Sequence, residues 1–282
     1  MSRWEPGRHG NWDVGNAQFH ETHGSLSVSD PGWAASTGLV HDEMIWLQFG
    51  HNEDIDTAAV EEINDFGGAM THLTTASTFD VVSDSSADDL TTGTGAWEIT
   101  IRYLDANYEL QAETISLDGL TPVTTTGSGL RILSAYIGRV GTGGVNAGNI
   151  AITATTGGTT QGLIEAGQGQ THNINFTVPA GYTAFFLSGV FSVSETSGGA
   201  LKETTAEFEA YVRLYNELST NNYNGWRDLF QVHLNNRGTG AQYIRQDVHN
   251  PIPEKTDMKL TARVGANDTQ VTARLFILLR KN

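Results

Sequence analysis

Large apolar and polar residues alternate along most of the chain after residue 69, and this period of two predicts β-strands. The segment Trp97–Tyr103 alternates in this way, and Glu113–Leu117 repeats the pattern before a turn at Asp118 and Gly119. Further strands are predicted at residues 130–140, 149–155, 172–178, 183–194, 207–215, 229–234, 243–248, 258–264 and 270–279. About a dozen strands at this spacing are typical of a sandwich or jelly roll.

The connections between these strands favour an antiparallel arrangement. Leu104–Asn107, Pro179–Gly181 and Gly265–Asp268 have the residue types of turns, and helical stretches long enough to connect parallel strands are missing. We therefore predict an all-β fold, a jelly-roll-like antiparallel β-sandwich at residues 69–282. It would carry an extended N-terminal arm and at most one short helix.

Residues 1–50 show neither the helical period nor the strand period, and we predict that they form the extended arm. Large aromatic residues are too frequent here for a solvated tail, because disordered segments are depleted in such side chains. We predict that they are buried against this chain's own domain or against a partner. These residues are Trp4, Trp12, Phe19, Trp33, Trp46 and Phe49.

Residues 51–68 contain the best helix candidate. Ala59, Ile63 and Phe66 share one face at i, i+4 and i+7 spacing, acidic residues crowd the first turn, and two glycines follow. We predict a short helical linker between the arm and the sandwich.

Charge is concentrated in one part of the chain. Residues 41–118 hold 17 acidic residues and a single Arg, while the whole chain has a formal net charge of −16. Phosphate backbones would repel such a surface, so we expect no nucleic acid partner. The chain has no apolar run of the length that a membrane helix needs, and we expect no membrane contact. Because it has no Cys, stability must come from packing or assembly.

Histidines near carboxylates raise the question of a metal site. His20 and His23 are three residues apart, not the four that place two zinc ligands on one helical face, while His41 and His51 are scattered among acids. We predict no metal site among them.

Other candidate chemistry is weak. Residues 83–89 concentrate oxygen atoms and leave calcium binding open, although the EF-hand spacing is missing. The glycines of residues 138–148 have no phosphate-loop spacing, and no nucleophile elbow is present. We therefore expect no catalytic residue, no cofactor and no enzymatic activity.

Seven short segments carry a resemblance to a known family. They are SSADD at 85–89, GTGAWEI at 93–99, LDANY at 104–108, ETISLDG at 113–119, TPVTT at 121–125, VPAGY at 178–182 and PEKTD at 253–257. There the chain resembles a recurrent module of virion structural proteins from tailed bacteriophages, especially aquatic ones. The resemblance covers about residues 70–282. It implies a jelly-roll decoration (cement) or head-fibre protein, often trimeric, on the capsid surface, and no catalytic residue.

The functional expectation is a non-enzymatic decoration protein that stabilises the phage head shell. Its partners would be the major capsid protein and other copies of itself in a homotrimer. Two alternatives remain. One is a tail, collar or fibre component of the virion, and the other is a carbohydrate-binding β-sandwich, for which Trp97, Trp226 and Tyr223 would be the exposed aromatic residues.

Overall fold

The computed structural model describes residue 35 and residues 42–197, 200–201, 203–216, 223, 225–237, 239–245 and 250–282. Between residues 42 and 282, every regular element of the described part is a strand. The strands are β1 (Glu43–Ile55), β2 (Glu61–Glu62), β3 (Phe79–Ser83), β4 (Ala96–Leu104), β5 (Leu110–Ser116), β6 (Val123–Thr124), β7 (Arg131–Val140), β8 (Ile150–Ala154), β9 (Thr160–Ile164), β10 (Phe176–Thr177), β11 (Tyr182–Ser197), β12 (Ala200–Leu201), β13 (Glu203–Arg213), β14 (Arg227–Arg237), β15 (Thr239–Arg245), β16 (Asp257–Val264) and β17 (Thr269–Lys281).

These strands form four antiparallel sheets, which confirms the all-β, antiparallel prediction. Two five-stranded sheets have the orders β1-β17-β11 and β10-β16-β13-β14, with β15 and β12 beside β11 and β2 beside β16. A four-stranded sheet has the order β6-β3-β8-β9, and a three-stranded sheet has the order β5-β4-β7. No helix among the described residues has the length and apolar character of a membrane span.

The sheets enclose two hydrophobic cores, where the sequence predicts a single sandwich. The two five-stranded sheets share one core, in which Phe191 of β11 and Phe208 of β13 lie edge to face at 5.2 Å. We call this part the outer sandwich. The two smaller sheets share the second core, where Phe79 of β3 packs on Tyr103 of β4 at 6.3 Å. This second part, the inserted sandwich, lies in the chain between β2 and β10.

Eight strands of the outer sandwich pair in a nested order. Their chain order is β1, β10, β11, β13, β14, β15, β16, β17, in which β10 has two residues; the other two strands, β2 and β12, also of two residues each, lie outside this order. The first strand pairs with the last, the second with the seventh, the third with the sixth and the fourth with the fifth. The eight strands therefore pair as the two arms of one long antiparallel hairpin, and this hairpin curls around the outer core.

Residues 42–68 differ from the predicted arm and linker, and residues 1–34 and 36–41 of the predicted arm lie outside the described residues. β1 begins at Glu43, within the predicted arm, and its pairing with β17 extends from Glu43 to Ile55. The helix predicted at residues 51–68 is wrong, since these residues form the end of β1, a turn and β2. Ile55 and Ile63 are fully buried in the outer core. Pairing with β16 and β17, which lie about 200 residues away in the sequence, overrides the local helical spacing.

Candidate functional site: the junction of the two sandwiches

The chain enters and leaves the inserted sandwich at one place, which we call the junction. Residues 63–65 lead out of the outer sandwich, and residues 171–175 lead back into it. The two crossings lie side by side, since the amide of Ile174 donates to the carbonyl of Ile63 at 3.1 Å and Asn64 bridges to Asn173. Buried polar side chains are concentrated around this point.

A buried ion pair joins the two sandwiches. Arg131, the first residue of β7, donates through Nε and Nη2 to the two carboxylate oxygens of Asp257 at 3.0 and 3.2 Å. Asp257, the first residue of β16, also accepts from Thr177 at 2.7 Å and from Arg213 at 2.6 Å. Two-point contact with a guanidinium fixes the direction as well as the distance between the elements.

Burial and charge act in opposite directions on this pair. Burial alone would raise the pKa of Asp257, but Arg131, His72 and Thr177 outweigh it and lower the pKa to about 2. His72 lies 3.8 Å from the same carboxylate, and burial lowers its pKa to about 4 although Asp257 opposes the shift. The junction therefore holds a carboxylate that stays charged and a histidine that stays neutral at pH 7.

A buried amide from β1 forms a second link. Gln48 is 3% exposed, and its Nε2 donates to the carbonyls of Leu133 in the inserted sandwich and Asn175 in the returning segment, at 3.1 and 3.0 Å. Its Oε1 accepts from the indole of Trp46 at 2.9 Å. Gln48 lies in a segment predicted as an arm, and no local pattern marked it as a buried linker.

Two histidines face one carboxylate at the same junction. Nδ1 of His51, near the end of β1, lies 3.3 Å from Oδ1 of Asp65, and Nδ1 of His172 lies 3.2 Å from Oδ2. The Asp65 carboxylate raises the pKa of His51, against the opposing effect of burial. Two imidazole nitrogens and a carboxylate oxygen are donors that suit a divalent transition metal. His51 stands among acidic residues in the sequence, but only the fold brings it to Asp65 and His172.

The predicted partner-binding residues divide into two groups. Trp4, Trp12, Phe19 and Trp33 lie outside the described residues. Trp46 is buried in the outer core, 5.6 Å from Phe176, so this side chain packs against the chain's own domain. Phe49 is partly buried on β1 and meets the edge of His172 at 4.7 Å. A partner-binding role for these residues stays a prediction.

The oxygen-rich segment at residues 83–89 forms an internal support. Asp88 is fully buried and accepts from the amides of Ala96, Ala147 and Gly148 at 2.7 to 2.9 Å and from Ser83 at 2.6 Å. Each carboxylate oxygen of Asp88 therefore accepts from two donors within the inserted sandwich. This arrangement ties two loops together and leaves little capacity for the calcium ion that the sequence left open.

The aromatic residues proposed for sugar binding are engaged within the chain. Trp97 donates to the carbonyl of Gly93 at 2.9 Å, and Tyr223 donates to Tyr108 at 2.9 Å. Trp226 lines a groove of about 240 Å³ together with Tyr211, but Arg213 and Lys259 lie over its ring at 4.8 and 4.7 Å. The ring of Trp226 is therefore covered by cations where it lines this groove.

The comparisons with known proteins find only weak similarity. No protein-family model and no curated protein matches the chain. Among solved structures, the chain is similar to infectious bursal disease virus strain Gt at 10% identity and a TM-score of 0.20, covering 86% of this chain and 77% of that chain. It is also similar to the tandem CBM22 domains of Paenibacillus barcinonensis Xyn10C at 11% identity and a TM-score of 0.19, covering 86% and 94%.

A third similar structure, the VP2 subviral particle of infectious bursal disease virus, has 9% identity and a TM-score of 0.18, covering 86% of this chain and 73% of that chain. These weak neighbours therefore include viral capsid proteins and a carbohydrate-binding protein. At such low TM-scores, neither kind of neighbour establishes a function for this chain.

Proposed function

We propose that this chain is a non-enzymatic virion structural protein, a decoration protein that binds and stabilises the head shell of a tailed bacteriophage. The observation that carries the proposal is the nested strand pairing of the outer sandwich. Pairing of first with last, second with seventh, third with sixth and fourth with fifth is what a jelly roll would require, and this supports the proposal. Jelly rolls are frequent in viral capsid and lectin domains.

The outer face of the sheet that contains β1 offers a surface for assembly. Phe49, Arg274, Val190 and Tyr243 lie in register across four neighbouring strands. Tyr243 is 60% exposed, and Leu47 on the same face of β1 is 48% exposed. Exposed apolar side chains gathered on one sheet face are typical of an interaction surface. We propose that this face and the aromatic residues before β1 together bind neighbouring subunits.

The inserted sandwich would then extend the domain away from the shell. It contains most of the acid-rich part of the chain, and an acidic outward surface limits association between particles. Several weak contacts made at once by the arm and the sheet face would raise the effective affinity without one strong site.

The experiment is a binding assay with capsids that lack the decoration protein. A chain without residues 2–41 should fold, since it keeps all of β1, and should lose most of its capsid binding. Leu47→Asp and Tyr243→Asp should weaken binding in the full-length chain. Leu120→Asp, at a 61% exposed position of the inserted sandwich, is the matched control and should bind normally.

Undiminished capsid binding by the truncated chain and by both sheet-face variants would contradict the decoration proposal. Gold labelling of intact particles tests the tail, collar or fibre alternative, because those locations are distinct from the head surface. Equilibrium sedimentation of the purified chain tests the homotrimer.

Carbohydrate binding is the second candidate, and the groove beside Trp226 is the observation that favours it. Sugar binding normally uses an open aromatic face, whereas the side chains of Arg213 and Lys259 lie over the Trp226 ring. A glycan array with the wild type and with Trp226→Ala tests the idea. Specific binding that the variant loses would favour it over the decoration role.

A further inference from the structure

We infer that His51, Asp65 and His172 form a binding site for a divalent transition metal ion, with zinc the best fit, that clamps the junction of the two sandwiches. The three residues come from separate segments of the chain. His51 is on β1, Asp65 is on the segment that leaves the outer sandwich, and His172 is on the segment that returns to it.

The distances between the donor atoms suit a small tetrahedral ion. Nδ1 of His51 and Nδ1 of His172 lie 3.3 and 3.2 Å from the two oxygens of Asp65. One ligand atom from each of the three residues lies within 4.8 Å of the other two. Ligands bound to zinc at about 2.0–2.1 Å in a tetrahedron are about 3.4 Å apart, so small side-chain rotations would close the site.

The donor atoms are buried, and Oδ2 of Asp65, which accepts from the backbone amide of His172 at 3.1 Å, is the one that makes a well-directed hydrogen bond. The side chains of His51, Asp65 and His172 are 7%, 1% and 9% exposed. Nδ1 of both histidines and Oδ1 of Asp65 make no well-directed hydrogen bond, although each Nδ1 lies within ion-pair distance of an Asp65 oxygen. Buried polar atoms in proteins are normally hydrogen-bonded, so three such atoms facing one point need an explanation. A bound cation satisfies all three together.

The surroundings add negative charge and an outer hydrogen bond. Glu53 and Glu165 form a second group with His51 in which one ligand atom of each residue lies within 4.8 Å of the other two, so both carboxylates add negative charge beside His51. The Gln270 amide lies 2.7 Å from Nε2 of His51. The structure places the amide nitrogen of Gln270 there, and its oxygen accepts from Ser194 at 3.1 Å. A metal-bound His51 would require the amide to rotate, so that its oxygen accepts from Nε2 and Nδ1 is free for the metal.

The position of the site indicates what the metal would do. An ion held by His51, Asp65 and His172 would cross-link β1 to both crossings of the chain at the base of the inserted sandwich. Metal bound only to the folded state adds to stability in proportion to the logarithm of its concentration over Kd. We expect about 5 °C of increase in Tm at a hundredfold excess over Kd.

The test uses the full chain, purified without a polyhistidine tag and stripped of metal with a chelator. Titration with zinc, followed by elemental analysis after dialysis, should give one tightly held equivalent and a higher Tm. His51→Ala and His172→Ala should each weaken zinc binding by about 100-fold or more, and Gln270→Ala by about 10- to 100-fold. His233→Ala is the matched control, because His233 is 68% exposed and should not affect binding.

Two further samples separate this site from others. A variant with His20→Gln and His23→Gln should keep the tight equivalent. X-ray absorption of the zinc-loaded wild type should show two imidazoles and a carboxylate, which tests the site even if the alanine variants fail to fold. The inference is overturned if the wild type retains no zinc, if the His51 and His172 variants retain it, or if the His20 and His23 variant loses it.

Discussion

Arg131 and Asp257 face each other across the boundary between the inserted and the outer sandwich, joined by two hydrogen bonds of 3.0 and 3.2 Å. Each residue is the first of its strand, β7 or β16, and 126 residues separate them in the chain. Their side chains are 5% and 0% exposed. The pair therefore fixes the position of one sandwich on the other, and its removal should disturb both.

Asp257→Asn should destabilise the protein strongly. The change leaves the buried Arg131 guanidinium without its counter-ion, which costs about 3–5 kcal/mol. Urea unfolding followed by circular dichroism gives the free energy of unfolding. Glu98→Gln removes the partner of the exposed Arg139 and should cost less than about 1 kcal/mol. Equal losses in the two variants would contradict the role of the buried pair.

The free energy of unfolding should depend on pH because of the protonation of His72. Its pKa is 6.5 in the unfolded chain and about 4 in the folded one, mainly because of burial. Between these values the unfolded chain takes up a proton that the folded chain does not, so the free energy of unfolding falls as pH decreases from 6.5 to 4. The loss should reach about 3 kcal/mol. Thermal melts across this range should be flatter for His72→Gln, and an unchanged slope would refute the assignment.

The stability that Asp257 contributes has a different pH window. Its pKa is lowered from 3.8 to about 2 by neighbouring positive charge and hydrogen bonds that outweigh burial. The contribution is therefore fully present above pH 3.8 and is lost as pH falls through 2. Acid unfolding of Asp257→Asn should lack this final step, whereas retention of the step would assign it to another carboxylate.

Asp88→Ala should unfold the inserted sandwich more easily. The variant removes four hydrogen bonds to a buried carboxylate and leaves the amides of Ala96, Ala147 and Gly148 without their acceptor, at a cost of about 2–4 kcal/mol. Calorimetry should show a lower Tm. Asp89→Ala, which removes an exposed cap of Thr91 and Thr92, should have a smaller effect. Added calcium should leave the Tm of the wild type unchanged.

The boundary of the folded domain gives a truncation prediction. Removal of residues 2–41 should leave the circular dichroism spectrum and Tm nearly unchanged. Removal of residues 2–55 should prevent folding, because it deletes β1, the pairing partner of β17. It also removes the buried side chain of Trp46 from the outer core. A folded chain without β1 would show that the outer sandwich does not need its first strand.

The amino-acid sequence by itself determined the local class of structure. Period-two alternation at Trp97–Tyr103 and in the predicted segments that overlap β7, β8, β11, β13, β14, β16 and β17 is visible over a few residues, because a strand with one buried face must alternate. Turn residues between the strands are also a local signal, and they made the antiparallel connections predictable. The helix predicted from the spacing of apolar residues in Glu53–Phe66 is wrong. Pairing with the distant strands β16 and β17 stabilises extended structure there instead.

Only the tertiary structure decided which residues meet. His51, Asp65 and His172 are brought together by the two crossings at the junction. Arg131 meets Asp257 because β2, before the inserted sandwich, and β10, after it, both pair with β16. Such contacts depend on strand order and register between segments up to 126 residues apart, and no local period records them. The sequence therefore determined that this chain is a β protein, while the fold decided where its buried charges and its candidate metal ligands lie.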